Sequence, residues 1–207
     1  MCAFMPPTSA HREMSLWSQL IAFQMRWSSF CAFDTALLSI AAAHRSDILD
    51  QLFRGITWLG SLYVLIPSAI VLVCLLAYRR YRFEAILLTV GLSGAALLAH
   101  ISKQILARPR PELYQPLIEI PVSYSFPSAH VTQATAFFLC VFLVVRRTLP
   151  NWKFPIACTA VFLVTCVAVS RVYLQVHFPS DTLAGLFLGV LWVSAIYKLM
   201  LRRGNNV

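Results

Sequence analysis

Five long apolar stretches, almost without charge, limit what this chain can fold into. They cover residues 56–78, 85–102, 127–145, 154–170 and 182–201, and their only histidine or charged side chains are His100, His130 and Lys198. About 20 apolar residues in a helix cross the roughly 30 Å hydrocarbon core of a membrane. Backbone polar groups in lipid must be hydrogen-bonded within their own segment, so each stretch should be a helix. The sequence therefore predicts an all-α, polytopic membrane helix bundle.

The first 55 residues are less regular than the rest of the chain. Residues 27–43 are apolar apart from Asp34 and could form a sixth, weak span. Residues 47–54 alternate apolar and charged side chains in the pattern of an amphipathic helix lying at the membrane interface. Residues 1–26 lack the compact apolar core of a signal peptide. Residues 1–55 are thus interpreted as a tail with an interfacial or weakly spanning helix, and 56–207 as the membrane-embedded domain, with five or six spans in total.

The net charge of +9 is explained by topology rather than by nucleic-acid binding. If the spans alternate in direction, nine basic residues fall on one membrane face: Arg79, Arg80, Arg82, Arg146, Arg147, Lys153, Lys198, Arg202 and Arg203. Loops rich in Lys and Arg lie on the cytoplasmic side. We therefore expect a protein of the cytoplasmic membrane whose opposite face points to the periplasm or exterior.

Polar side chains gather where four predicted helices meet that opposite face. Lys103, Arg108 and Arg110 follow the second span, Ser128 to His130 begin the third, Arg171 ends the fourth, and His177 and Asp181 precede the fifth. Contact with lipid headgroups would explain an isolated Arg or Lys, and it remains an alternative for Arg108. Two histidines and an aspartate at the same face instead indicate a functional site.

These residues form three blocks with defined spacing. The first is Lys103, six residues, then Arg110-Pro111; the second is residues 126–130, Phe-Pro-Ser-Ala-His; the third is Ser170-Arg171, five residues, His177, three residues, Asp181. In this order the sequence resembles the type-2 phosphatidic acid phosphatase superfamily, which includes bacterial lipid phosphatases, glucose-6-phosphatase and vanadium haloperoxidases. That family usually has Gly where this chain has Ala129, a residue whose backbone N–H helps to bind phosphate.

The residue types suit phosphate chemistry. Arg110 and Arg171 can pair bidentately with phosphate, and Lys103 adds a point charge. Ser128 can cap the third span and leave helix N–H groups facing the anion, or it is a structural cap alone. No magnesium or zinc motif is visible, so we expect neither a metal nor another cofactor.

The two histidines can divide the work of bond cleavage. Asp181 lies four residues after His177 and can hold one ring nitrogen protonated, which leaves the other nitrogen as a nucleophile. His130 has no carboxylate close to it in sequence and suits a proton donor. The family resemblance implies the same roles, with a phosphohistidine at His177, orientation by Asp181 and His130 as the general acid.

The sequence thus predicts a membrane phosphatase acting on a lipid phosphate or pyrophosphate. The short loop 112–126 favours a small headgroup, and size and layout favour undecaprenyl pyrophosphate. Phosphatidylglycerophosphate, phosphatidic acid and lipid A phosphates are the alternatives. A lipid transporter or scramblase, or an intramembrane hydrolase using Ser128, are rivals of other classes. Neither rival accounts for both the cations and the His177–Asp181 pair. The expected partners are membrane lipids, with no obligate protein partner evident.

Overall fold

The structure, a computed structural model, describes residues 32–120 and 122–204, and these residues form helices joined by loops, without strands. The helices are α1 (Ala32–Ala43), α2 (Asp47–Ile56), α3 (Leu62–Tyr78), α4 (Arg82–Leu106), α5 (Ala129–Thr148), α6 (Lys153–Tyr173) and α7 (Pro179–Gly204). Short 3₁₀ turns at Thr57–Gly60 and Pro150–Trp152 precede α3 and α6. The prediction of an all-α membrane bundle is confirmed.

Four of these helices are long and apolar enough to cross a membrane, namely α4, α5, α6 with its preceding turn, and α7. A fifth span is available if α2, its 3₁₀ turn and α3 are counted together, although they are bent by 46°. The weak sixth span predicted at 27–43 corresponds to α1, whose described part is too short to span; residues 1–31 lie outside the described residues.

The span predicted over 56–78 is not one continuous helix, because the helix is interrupted at Ser61. The Ser61 backbone is extended, and its hydroxyl accepts a hydrogen bond from the Tyr63 N–H, so a new helix begins at Leu62. Just before it, Gly60 packs against other helices: a Cβ there would lie 2.7 Å from Val167 Cγ1 and 2.9 Å from the His130 carbonyl oxygen. The bend lets this segment approach the start of α5 more closely than a side chain would allow.

Helix α5 is the centre of the bundle and packs against α3, α4, α6 and α7. Its buried Ala136 and Cys140 face Leu87, Leu88 and Val193 in the main apolar core. Small residues permit close helix contacts in membranes. At Gly189 of α7, a Cβ would lie 2.8 Å from Thr135 Cβ and 2.9 Å from the Thr132 carbonyl oxygen. This close packing fixes the middle of α7 against the first two turns of α5.

Helix α2 has the amphipathic character expected for residues 47–54. Leu49 and Phe53 pack against the cluster formed by Tyr173, Leu174 and Val176, where α6 ends. Ile48 and Leu52 on the same helix are 80% and 50% exposed. Exposed apolar side chains beside a membrane bundle are suited to the interface. One side of α2 therefore supports the α6–α7 connection, and the other is available to lipid.

Candidate functional site

The predicted site residues come together at the end of the bundle where α4 and α6 finish and α5 and α7 begin. Lys103, Ser128, Arg171, His177 and Asp181 are all at most 5% exposed. Arg110 lies in the loop after α4 and donates from Nη1 to the Val176 carbonyl oxygen at 2.6 Å, next to His177. The structure thus brings these predicted side chains to the same end of the bundle.

The His177 ring is placed by the sharp turn between α6 and α7. Gln175 adopts a left-handed conformation with φ 61°, and the Val176 N–H bonds back to the Arg171 carbonyl, which ends α6. Pro179 then begins α7 and places Asp181 in its first turn. A left-handed residue after a helix is a common way to stop it. His177 is therefore held in a short, hydrogen-bonded connection.

Asp181 contacts His177 directly. Its Oδ2 lies 3.3 Å from His177 Nδ1, and the same oxygen accepts hydrogen bonds from the Phe178 N–H at 2.9 Å and from the Ser125 hydroxyl. On the other side of the ring, Nε2 is 3.3 Å from Arg110 Nη1. This arrangement keeps the proton on Nδ1 and leaves the Nε2 lone pair directed toward the cations.

Burial and the nearby positive charges of Arg171, Arg110 and Lys103 hold the pKa of His177 well below its usual value. A histidine with a lowered pKa is neutral at pH 7, and only the neutral ring can act as a nucleophile. The pKa of Arg110 is also lowered, chiefly by burial. The site therefore combines an unprotonated imidazole with a concentration of positive charge.

Protein groups accept hydrogen bonds from two of the cations, but not every donor atom at the site has a partner. Lys103 donates to the Tyr124 and Ser125 carbonyl oxygens, and Arg171 Nη1 donates to Thr57 Oγ1 at 2.7 Å. Arg171 Nε and Ser128 Oγ, in contrast, are among five buried polar side-chain atoms of the described residues that have no hydrogen-bond partner. Buried polar groups are nearly always hydrogen-bonded. Two orphaned atoms among clustered cations are suited to an anionic ligand.

The expected capping role of Ser128 is wrong in detail. Ser128 occupies the position before α5, but its side chain makes no capping hydrogen bond. Its backbone carbonyl oxygen accepts a hydrogen bond from the Thr132 hydroxyl. Its own N–H bonds to the Asp181 carbonyl oxygen at 3.0 Å, which ties the starts of α5 and α7 together. The hydroxyl thus stays available within the site.

Ala129 and His130 are the first residues of α5. Ala129 is helical and does not have a positive φ, so this position does not require the glycine usual in the resembling family. His130 is the second residue of α5, and its carbonyl oxygen faces Gly60. Ser128, the residue before Ala129, is hydrogen-bonded to Asp181, so both predicted residues lie at the same end of the bundle as the cations and His177.

One site residue was missed from the sequence, and the structure decides between the two alternatives for another, a supporting cation of the site or a headgroup contact. Arg108 is only 6% exposed and donates to Asp181 and Asp34, so it is not a surface cation in contact with headgroups. Asp34, in α1, is completely buried beside it. A carboxylate inside an apolar helix was the available signal, because a buried charge requires a partner.

Within the described residues, no group of three or more His, Cys, Asp or Glu side chains is arranged to hold a metal ion. Charge at this site comes from Lys103, Arg108, Arg110 and Arg171, against the two carboxylates of Asp34 and Asp181. With a neutral His177, these groups leave an excess of positive charge. Such a surplus at a buried site favours an anion.

The profile of the PAP2 superfamily matches residues 84–205 of this chain. The chain belongs to the PAP2 superfamily. It is 28% identical over 182 residues to phosphatidylglycerophosphatase B of Bacillus subtilis, covering 86% of this chain and 89% of that protein. It is 31% identical over 166 residues to an undecaprenyl-diphosphatase of Sulfolobus acidocaldarius, covering 78% and 75% of the two chains.

The same fold is found in a solved structure of this superfamily. The crystal structure of a transmembrane PAP2-type phosphatidylglycerolphosphate phosphatase from Bacillus subtilis superposes with a TM-score of 0.79 at 25% identity, covering 93% of this chain and 98% of that one. The PAP2 match begins in α4, so α1, α2 and α3 lie outside the matched residues. The α4–α7 part of the site is thus covered by the family match, whereas Asp34 is not.

Proposed function

We propose that this chain is a metal-independent membrane phosphatase that hydrolyses undecaprenyl pyrophosphate through a phosphohistidine at His177. The observation that carries the proposal is the buried His177, which contacts Asp181 and lies among three cations and two unpartnered donors. A second candidate substrate is phosphatidylglycerophosphate, favoured by the similarity to the Bacillus subtilis phosphatase over most of both chains.

In this mechanism His177 Nε2 attacks phosphorus, forming a P–N bond as the bond to the lipid oxygen breaks. Lys103, Arg110, Arg171, Ser128 and the Ala129 N–H hold the non-bridging oxygens. Their charges stabilise the transition state, in which negative charge spreads over those oxygens. Asp181 accepts the Nδ1 hydrogen bond and stabilises the positive charge on the phosphorylated ring.

His130 transfers the protons. It gives its proton to the departing lipid oxygen, so the lipid leaves as an alcohol or a monophosphate. In the second step it takes a proton from water, which attacks phosphorus and breaks the P–N bond. Inorganic phosphate is released and both histidines return to their starting states.

The direct test is phosphate release by detergent-purified protein in EDTA, from a panel of undecaprenyl pyrophosphate, phosphatidylglycerophosphate, phosphatidic acid and lipid A. We expect turnover without divalent metal, with the highest kcat/KM for undecaprenyl pyrophosphate. Vanadate, which mimics phosphate in trigonal-bipyramidal form, should inhibit. Activity that is lost in EDTA and restored by magnesium or zinc contradicts the metal-independent mechanism. Lipid scrambling in vesicles without phosphate release would favour the transporter alternative.

We further propose that the site faces the extracytoplasmic side of a bacterial cytoplasmic membrane. Support comes from the basic residues at the opposite end of the bundle, among them Arg79, Arg80, Arg146 and Arg147, near the turns between α3 and α4 and between α5 and α6. Such residues prefer the cytoplasmic side. The substrate's phosphate would then be removed on the outer surface.

A labelling experiment tests this orientation. The six native cysteines are first replaced by serine, and this background must keep its phosphatase activity. Single cysteines are then placed at the exposed positions Glu112, near the site, and Arg146, at the opposite end. A membrane-impermeant thiol reagent added to intact cells should label the first and leave the second unlabelled until the membrane is permeabilised. The reverse pattern would put the site in the cytoplasm.

A further inference from the structure

The N-terminal helix α1 contributes a buried carboxylate to the site. Asp34 is 0% exposed, although it lies in an apolar helix outside the residues matched by the superfamily. A buried charge is strongly unfavourable unless it is paired and hydrogen-bonded. The contacts of Asp34 therefore indicate what its burial accomplishes.

Both oxygens of Asp34 are used. Oδ1 accepts the Ser180 backbone N–H at 2.9 Å, and Oδ2 accepts the Ser180 hydroxyl at 2.6 Å and Arg108 Nη2 at 2.8 Å. Four residues along the same helix, the Leu38 carbonyl accepts from Gln175 Nε2 at 2.9 Å. One face of α1 is thus attached to the α6–α7 turn that carries His177.

Arg108 connects Asp34 to Asp181. Its Nη2 donates to Asp34, while its Nη1 donates to Asp181 Oδ1 at 2.5 Å and to Ser180 Oγ at 2.7 Å. The Phe178 ring lies 4.1 Å from the guanidinium carbon and supports the plane of that group. Asp181 uses Oδ1 for Arg108 and Oδ2 for His177, so the four side chains form one continuous hydrogen-bonded chain.

We propose that Asp34 and Arg108 are positioning residues that fix the orientation and the effective charge of Asp181 behind His177. This inference rests on the proposed function, because it assigns a task in the His177 reaction. Arg108 alone would neutralise Asp181 and weaken its stabilisation of a positively charged, phosphorylated His177. Because Arg108 is also paired with Asp34, its positive charge is divided between two carboxylates. Asp34, Arg108 and Asp181 together therefore keep a net charge of −1 next to the nucleophile. A carboxylate behind a catalytic histidine acts through orientation and charge in the same way in other enzymes.

Three variants separate charge from simple packing: Asp34→Asn, Arg108→Gln and the double variant. Asp34→Asn makes the net charge of the triplet zero, Arg108→Gln makes it −2, and the double variant restores −1. We expect kcat to fall about 10-fold in Asp34→Asn and about 100-fold in Arg108→Gln, a range similar to that for the hydrogen-bond partners of metal-ligating side chains. The double variant should be more active than Arg108→Gln alone, by about 5-fold or more.

The pH profile gives a second readout that a merely structural role would not move. His177 faces Asp181 and the other charged or titratable side chains of the site: Lys103, Arg110, His130 and Arg171. These side chains are unchanged in all three variants, which differ from wild type only at Asp34 and Arg108. Removing a negative charge lowers a histidine pKa and removing a positive charge raises it. The acidic limb of kcat should therefore move to lower pH in Asp34→Asn, to higher pH in Arg108→Gln, and return toward wild type in the double variant.

Glu84→Gln is the matched control. Glu84 is also a buried carboxylate paired with an arginine at 2.8 Å, but Arg147 and Glu84 lie at the end of the bundle away from the site. This variant should keep kcat within about 2-fold of wild type, with an unmoved acidic limb. Thermal unfolding in detergent is recorded for every variant. Should Arg108→Gln fail to fold, kcat and the pH profile of Asp34→Asn are compared with those of Glu84→Gln, and this comparison tests the inference.

The inference is overturned if Asp34→Asn behaves like Glu84→Gln in both kcat and pH profile. It is equally overturned if kcat of the double variant is no higher than that of Arg108→Gln and the acidic limb of the pH profile is the same in every variant. Lost packing alone would then explain the losses in kcat. A wild-type protein that releases no phosphate from any lipid of the panel would instead refute the proposed function. The two failures are therefore distinguishable.

Discussion

The His177→Ala variant should release no phosphate above background from any lipid substrate. In the proposed mechanism His177 Nε2 is the atom that bonds to phosphorus, and the other groups within the described site only bind, orient or transfer protons. Removing a nucleophile from an enzyme with a covalent intermediate costs on the order of 10⁶-fold in kcat. The loss should be the same for pyrophosphate and monoester substrates, because both require the same attacking atom.

Trapping the intermediate makes this prediction specific. With a substrate labelled at the transferred phosphate, wild-type protein quenched in alkali should retain label, because the P–N bond of a phosphohistidine is stable in alkali and labile in acid. His177→Ala should retain none. His100→Ala is the matched control, since His100 is an exposed histidine of α4 one turn from Lys103. It should keep both turnover and labelling. Turnover of His177→Ala within about 100-fold of wild type would mean that water attacks phosphorus directly.

The residues of the three sequence blocks could be predicted because their geometry follows from local rules. Alternating spans bring the end of α4, the start of α5, the end of α6 and the start of α7 to one face. The i, i+4 spacing of His177 and Asp181, with Pro179 between them, brings their side chains together, and the structure has them 3.3 Å apart. Short-range spacing and topology are both readable from one sequence.

Contacts that depend on tertiary packing could not be predicted in this way. The interruption at Ser61 lies inside a charge-free run, next to the point where Gly60 packs against Val167 and His130, which are far away in sequence. The Arg108–Asp34 pair joins residues 74 positions apart and requires α1 to dock beside the α6–α7 turn. Hydrophobic periodicity predicts the existence of such a helix but carries no information about which neighbour its one acidic residue meets.

The free Ser128 hydroxyl illustrates a different limit. A serine before a helix is usually a cap, because its oxygen satisfies an unpaired N–H of the first turn. Here the Ser128 hydroxyl makes no such bond, and its backbone N–H is already paired with the Asp181 carbonyl. Local preference is thus overridden where a polar atom lies at a site, and such exceptions are expected at functional positions.

The His130→Ala variant should lose activity to an extent that depends on the leaving group. In the first step of the proposed mechanism, His130 protonates the departing lipid oxygen, and general acid catalysis is typically worth about 10²–10⁴-fold. A lipid alkoxide is a strong base and a poor leaving group, so phosphatidic acid should show a loss within that range. A lipid monophosphate leaving from undecaprenyl pyrophosphate is a far weaker base. It needs the proton less, and its loss should be clearly smaller.

The first turnover is the correct measurement for this comparison. In the second step His130 activates water whatever lipid has left, so steady-state rates would mix a common loss into both substrates. Lipid product formed in the first turnover by wild type and His130→Ala isolates the leaving-group step, and the readout is the ratio of the two losses. Slow hydrolysis of the intermediate should also increase the alkali-stable label on His130→Ala with the pyrophosphate substrate. Equal losses on both substrates would mean that His130 chiefly binds phosphate, and a larger loss on the pyrophosphate would exclude it as the proton donor.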